Sequence, residues 1–224
     1  MKKSIILGIG LIAAMSSCND FLDISPYDTF TNTPTYWSNS SNLDNQCNHF
    51  LNNYVGYGNA GGGGWFYFKT LSDDQVSYQD NLWSYTNVVS ASSNWSNPLT
   101  EIRRASYIIQ GLKNSTLADN VKKSYEGIAR LNRAWQYYQF VREYGDVPWV
   151  GHVVSTDDND VLYGPRVDRD IVMDSVLNDL DFAAKHIQGS NKQRFTADMA
   201  LAMKADVTLF EGTYCKYRTA NENA

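Results

Sequence analysis

The stretch from Asp119 to Val150, DNVKKSYEGIARLNRAWQYYQFVREYGDVPWV, constrains the fold more than any other part of the chain. Ile128, Leu131, Trp135, Tyr138 and Val141 recur at steps of three and four, which puts them on one face of a long helix. Arg130, Arg133, Tyr137, Phe140 and Tyr144 keep the same spacing on a second face. The final turns are therefore aromatic or aliphatic nearly all round, and such a helix needs cover on more than one side. Asp119 is placed to cap its start. Gly145 is placed to take the left-handed conformation that ends a helix, and Pro148 beyond it prevents a restart. Dense aromatics at helical spacing are first of all packing residues, so Arg130, Arg133, Trp135, Gly145 and Pro148 are read as structural.

The rest of the chain supplies partners for this helix. Leu43, Cys47, Phe50, Leu51 and Tyr54 predict a helix over residues 40–55, broken by Asn and Gly. Asn94-Trp95-Ser96 starts another that runs to Leu112, with Leu99, Ile102, Ala105, Ile109 and Leu112 on one face and Trp95 as a structural ring at its start. The short connection from Gly111 to Leu117 makes it an antiparallel neighbour of the central helix, the hairpin unit of tetratricopeptide-type repeats. A helix over 168–187 is expected to turn Ile171, Ser175, Leu177, Leu180 and Ala184 inward. Arg194-Phe195-Thr196 opens a last helix lined by Ala200, Met203, Val207 and Phe210, with Ala197, Ala202 and Ala205 keeping it thin for close contact. The expected class is mainly α, antiparallel helix pairs joined by long loops. Ser25 to Trp37, with Pro26 and Pro34 among Thr and Asn, reads as an extended segment over the surface.

The first 17 residues have the form of an export signal: Lys2 and Lys3, then an apolar run from Ile5 to Ala14 that is too short for a membrane span. Ser16-Ser17-Cys18 resembles a bacterial lipobox, with cleavage before Cys18 and a lipid on its thiol, and Met15 is an unusual residue in it. Loss of Lys2 and Lys3 takes the formal charge from -5 to -7. Residues 18–39 form the N-terminal segment that follows, and 40–224 the helical domain. Cys47 and Cys215 lie far apart without a spacing motif. Export permits a disulfide between them, but two free buried thiols is the favoured reading.

Between the predicted helices lies a stretch with a different composition. Gly61 to Gly64 precede Trp65-Phe66-Tyr67-Phe68, and the Lys-Ser or Lys-Thr exit that a phosphate loop needs is absent at that position. The glycines form either a turn presenting a buried aromatic run or a mobile ligand-side loop. Leu71-Ser72-Asp73-Asp74 then opens a segment in which Tyr78, Trp83 and Tyr85 stand among Asn, Ser, Gln and Asp. Flat rings stack on the CH patches of sugars while amides and carboxylates exchange hydrogen bonds with the hydroxyls, so this is a sugar-binding composition. Packing of those rings against their own domain is the competing reading, as is a bracing role for Asp73 and Asp74.

Other chemistries find little support. A net charge of -5 argues against a nucleic-acid partner. His49, His152 and His186 fall on separate elements with no metal-ligand spacing, and no nucleophile elbow is present. The aspartates Asp157, Asp158 and Asp160 lack the Gly and Glu of a calcium loop. No cofactor, metal or catalytic residue is called for.

Arg133-Ala134-Trp135, the aromatic run from Tyr137, and Tyr144-Gly145-Asp146-Val147-Pro148 together resemble the signature helix and exit turn of the SusD/RagB family of outer-membrane nutrient-binding lipoproteins. Ile128 departs from the pattern, standing where the family usually has Glu. The resemblance extends to the SCNDFLD opening, to Leu71-Ser72-Asp73-Asp74 and to Arg166-Val167-Asp168. It covers only the N-terminal part of these longer proteins, so the chain reads as a fragment or truncated product. It implies a SusD-type helical architecture and a lipid anchor at Cys18 on the outer membrane, exposed at the cell surface. It also implies capture of an oligosaccharide or other nutrient, and delivery to a SusC-like TonB-dependent transporter without turnover. The candidate ligand residues are Asp73, Asp74, Tyr78, Trp83 and Tyr85. The competing functions are a helical-repeat scaffold for protein partners and a surface glycosidase.

Overall fold

The computed structural model describes residues 33–54, 92–191 and 193–222. Helix α1 spans Pro34–Trp37 and α2 spans Ser40–His49, followed by a 3-10 turn Phe50–Asn53. Then come α3 (Ser93–Lys113), α4 (Asp119–Tyr144), α5 (Asn159–Leu162), α6 (Arg169–His186) and α7 (Ala197–Glu222). The described residues hold no strand beyond an isolated bridge between Val147 and Val167.

Helix α4 lies at the centre, packed between α3 and α6, and α7 packs on α6. Side-chain pairs give the directions. Trp95 at the start of α3 meets Phe140 and Tyr144 at the end of α4, with ring centroids 4.7 and 4.9 Å apart, so α3 and α4 are antiparallel. Gly127 early in α4 lies against Ala183 and Ile187 at the end of α6, and a β-carbon there would sit 2.9 Å from Ile187. That close approach brings the two backbones together as only a small residue allows. Arg169 at the start of α6 reaches Glu211 late in α7. The helices thus form antiparallel pairs, as their spacing predicts.

The exit of α4 is built as a clamp. Gly145 has φ 71°, a conformation that favours glycine, and its amide closes on the Val141 carbonyl at 2.9 Å. Asp146 Oδ1 accepts the Arg169 amide at 3.0 Å, satisfying a donor of the first turn of α6, while Asp168 accepts from Asp170. The Val147 and Val167 amides and carbonyls exchange bonds of 3.3 and 3.0 Å. Tyr137 Oη accepts the Val150 amide at 2.6 Å, returning the chain to α4. The Tyr-Gly-Asp-Val-Pro sequence is therefore the joint that aligns α6 against α4.

Several expectations are corrected. Pro34–Trp37, expected to be extended, forms a helical turn capped by Thr33, because Trp37 inserts over Gly111 of α3 and is fully buried. The 40–55 helix ends at His49 and tightens into the 3-10 turn. Asp119 is the first residue of α4 and pairs with Lys122 at 2.9 Å, and Ala118 occupies the cap position without a side-chain bond. On α6 the inward face is Val172, Met173, Val176, Asp179, Leu180 and Ala183, and Ile171 is 58% exposed. The helix is rotated because α4 draws Asp179 inside. On α7 Ala200, Met203 and Val207 are buried as expected, but Ala202 and Ala205 face solvent beside exposed Leu201 and Leu209. Cys47 is buried and Cys215 is exposed, so only one of the thiols is a core residue.

Candidate functional site

Cys18, Asp73, Asp74, Tyr78, Trp83 and Tyr85 lie outside the described residues, as does the glycine run. The residues at either end of the segment 55–91 are described, and both stand on α4. At its start, Tyr54 stacks on Trp135 at 5.5 Å and meets Phe195 edge-on at 5.8 Å. Trp135 Nε1 donates to the Asn53 carbonyl at 3.2 Å. At its end, Ser92 caps α3 by accepting the Asn94 amide and receives the Tyr144 hydroxyl at 3.5 Å. Asn94 Nδ2 donates to Glu143 at 2.8 Å. Arg166 lies 4.7 Å over the Trp95 ring. Trp135 and Tyr144 are nine residues apart, about 13 Å along a helix. The central helix thus fixes Tyr54 and Ser92, the described residues that flank the segment 55–91.

A polar junction braces the first of these ends. Asn53 Nδ2 donates to Glu101 Oε2 at 2.9 Å and to Asn132 Oδ1 at 3.0 Å, and His49 Nε2 lies 3.2 Å from Glu101 Oε1. Asn132 is fully buried, and its Nδ2 and the Tyr54 hydroxyl have no partner among the described residues. Burial pushes the Tyr54 phenol well above its ordinary range.

A second polar centre lies beneath α4. Arg133 Nε and Nη2 bond the two Asp179 oxygens at 2.7 and 2.8 Å, and Arg130 Nη1 adds a third bond at 3.1 Å. Glu126 neutralises Arg130 from the other side at 2.6 Å. Phe182 lies 4.2 Å beneath the Arg130 guanidinium, and Trp149 5.5 Å from that of Arg133. Burial disfavours the Arg133 charge, but Asp179, with Tyr137 and Glu126, more than offsets it and raises the guanidinium above its ordinary value. Two arginines face two carboxylates, so the centre is charge-paired and holds α6 in register with α4. Arg130 and Arg133 occupy this centre, Trp95 and Trp135 the two ends of the aromatic segment, and Gly145 and Pro148 the exit of α4. Ile128 packs against the core.

Sequence reasoning missed Asn53, Glu101, Asn132 and Asp179. For Asp179 the signal was present, because the run Val172, Val176, Asp179, Ala183 puts a carboxylate on an apolar face, where a charge demands a partner. Asp158, considered for calcium, accepts the Ser155 amide at 2.7 Å and lies 3.4 Å from His152, so it closes its own loop. Among the described residues no group of three His, Cys, Asp or Glu side chains is placed to hold a metal, and no helix is long and apolar enough to cross a membrane.

Comparison with known proteins gives one consistent result. The SusD-like family model described as "Starch-binding associating with outer membrane" matches residues 20–209. A SusD-like protein from Bacteroides fragilis superposes with a TM-score of 0.67 at 24% identity, over 85% of this chain and 38% of that one. A SusD-like carbohydrate binding protein from the same organism gives 0.64 at 18% identity, over 80% and 39%. One from Bacteroides vulgatus gives 0.57 at 14% identity, over 83% and 44%. At these identities the likeness is one of fold. The chain spans well under half the length of these relatives. No curated protein matches it in sequence.

Proposed function

The chain belongs to the SusD-like family, and from that premise we propose that it is a glycan- or nutrient-binding lipoprotein of the outer membrane surface. In this reading it captures oligosaccharide and passes it to a SusC-like TonB-dependent transporter without turnover. Cys18 carries the lipid anchor, and the segment with Tyr78, Trp83 and Tyr85 forms the ligand face, assisted by Asp73 and Asp74.

The observation that carries this reading is the way both ends of that segment are fixed on α4, through Tyr54 on Trp135 and Ser92 beside Tyr144. Fixed flanks lower the chain entropy that a ligand segment loses on binding, and in this reading the affinity comes from ring stacking instead of charge. The matched solved proteins described as carbohydrate binding support the ligand class.

Calorimetry against a glycan panel tests the proposal. Binding weakened by about 1 to 3 kcal/mol in Trp83→Ala, the cost of losing an aromatic anchor, is the expected result. A folded protein that binds no glycan sinks it. Membrane fractionation of Cys18→Ser tests the anchor separately, with release of the protein from the membrane fraction expected.

The second reading, a scaffold for protein partners, draws on one feature. Tyr163 is 85% exposed beside half-exposed Leu162, an apolar tip at the end of α5. Pull-down of a protein partner that depends on Leu162 and Tyr163, by a folded chain that binds no glycan, favours it.

A further inference from the structure

A cleft lined by residues outside the 55–91 segment opens between α2, α4 and the connection from α6 to α7. Its volume is about 210 Å³. Cys47, Val121 and Ile128 form an apolar floor, and Tyr125 and Phe195 supply rings in its wall. Asp44, Asn48, Ser124, Gln188, Asn191 and Arg194 complete the lining.

These groups form a preorganised polar rim. Asp44 Oδ1 accepts the Tyr125 hydroxyl at 3.0 Å and lies 3.6 Å from Arg194 Nη1, and both the carboxylate and the guanidinium remain about half exposed. No bond to Asp44 Oδ2 is made among the described residues. Ser124 Oγ accepts the Gln188 amide at 2.9 Å and keeps its own proton to donate. Gly189, with φ 118°, carries the chain along the edge in a conformation that side chains rarely adopt, so the wall stays bare there. The Cys47 thiol is pushed up to about 12 by burial and by Asp44, which keeps the floor neutral.

We infer that this cleft binds a single neutral sugar ring. Its volume falls below the roughly 300–1,000 Å³ of sites for larger ligands, so it admits one ring and excludes a folded chain of them. The one anion and one cation of the rim already face each other, and the other polar groups are amides and hydroxyls. A charged ligand would have to break that pair, whereas a polyol accepts from Arg194 and donates to Asp44 without disturbing it. The apolar floor and the ring of Tyr125 suit the CH face of a pyranose. The inference takes its ligand class from the proposed glycan-binding function but uses residues outside the 55–91 segment.

Saturation-transfer NMR on the full chain, in a detergent without a sugar headgroup, with glucose, galactose and mannose each as probe, tests it. At least one sugar should give transfer in the native chain and in Trp83→Ala. Affinity should fall about tenfold or more in Asp44→Ala and in Asn48→Phe, which fills the cleft from an existing wall position. Thermal melts establish that both variants are folded. Transfer that survives undiminished in both cleft variants, or no transfer from any of the three sugars to the folded native chain, overturns the assignment. Loss in the cleft variants combined with failure of oligosaccharide binding by the Trp83 segment would leave this site standing and remove the other.

Discussion

Asp179 and Arg133 meet in a two-pronged bond of 2.7 and 2.8 Å, with side chains only 3% and 7% exposed. Neither residue is isolated, because Arg130 shares the same carboxylate and Glu126 balances Arg130. Removing one partner of such a pair strands a buried charge, which costs far more than the pair contributes net. Asp179→Ala is therefore expected to lower unfolding free energy by about 3–5 kcal/mol in urea denaturation. The double variant Arg133→Met with Asp179→Leu should recover much of that loss, since apolar residues of similar volume leave no charge unpaired. A double variant no better than the single one would show that the centre acts through its geometry and not its charge balance.

Gly111 is occupied by its neighbour: a β-carbon there would fall inside contact distance of the Trp37 indole. Gly111→Ala must push Trp37 off α3, and overpacking of this kind costs about 1–3 kcal/mol. Thermal unfolding should register the loss. Hydrogen exchange should speed up over α1 and α2 more than over α6, because Trp37 ties the N-terminal elements to the bundle.

The difference between what sequence revealed and what it did not has a physical origin. The α4 boundaries, the turn at Gly145 and the α3–α4 hairpin were legible because each rests on local signals, such as helical spacing, a glycine that needs positive φ and a connection too short for any other return. The phase of α6 was not. Its apolar residues fit two neighbouring faces, and the choice between them was made by Arg130 and Arg133 across the interface, a long-range demand that periodicity does not carry. Trp37 was misread for a similar reason, since Pro34 suggested an extended path and the partner that folds it over, Gly111, lies far along the chain. The polar junction of Asn53, Glu101 and Asn132 assembles three elements, and no single stretch announces it.

The buried Tyr138 and half-buried Tyr125 make the protein sensitive to alkali. Burial, with Asp44 and Asp206 respectively, raises the Tyr125 and Tyr138 phenols from 10.0 to about 12. Arg142 partly opposes the shift at Tyr138. A folded-state value above the unfolded one means stability is fully present below pH about 10 and is lost as pH climbs toward about 12. Cys47 acts in the same direction from about 9. Tyrosinate absorbance and circular dichroism followed together should show an exposed fraction titrating first and a second fraction appearing only as helix is lost. A single ordinary titration with the helices intact would contradict the raised phenols.

Tyr54 offers the reverse case, a buried polar group whose removal should do no harm. Its ring stacks on Trp135 and meets Phe195, while its hydroxyl is buried without a partner among the described residues. An unsatisfied buried hydroxyl carries its desolvation cost with nothing returned. Tyr54→Phe keeps the ring contacts and deletes that cost, so stability should stay level or rise by about 1 kcal/mol. Tyr54→Ala deletes the ring instead and should cost about 3 kcal/mol or more, in the range of buried aromatic truncations. The same pair of variants probes the support of the proposed ligand segment. Glycan affinity should survive the phenylalanine and fall with the alanine, because the ring on Trp135 fixes Tyr54, the residue that precedes that segment. A loss of affinity in Tyr54→Phe without a loss of stability would instead give the hydroxyl a place in ligand contact, and the support role would pass to Trp135 alone.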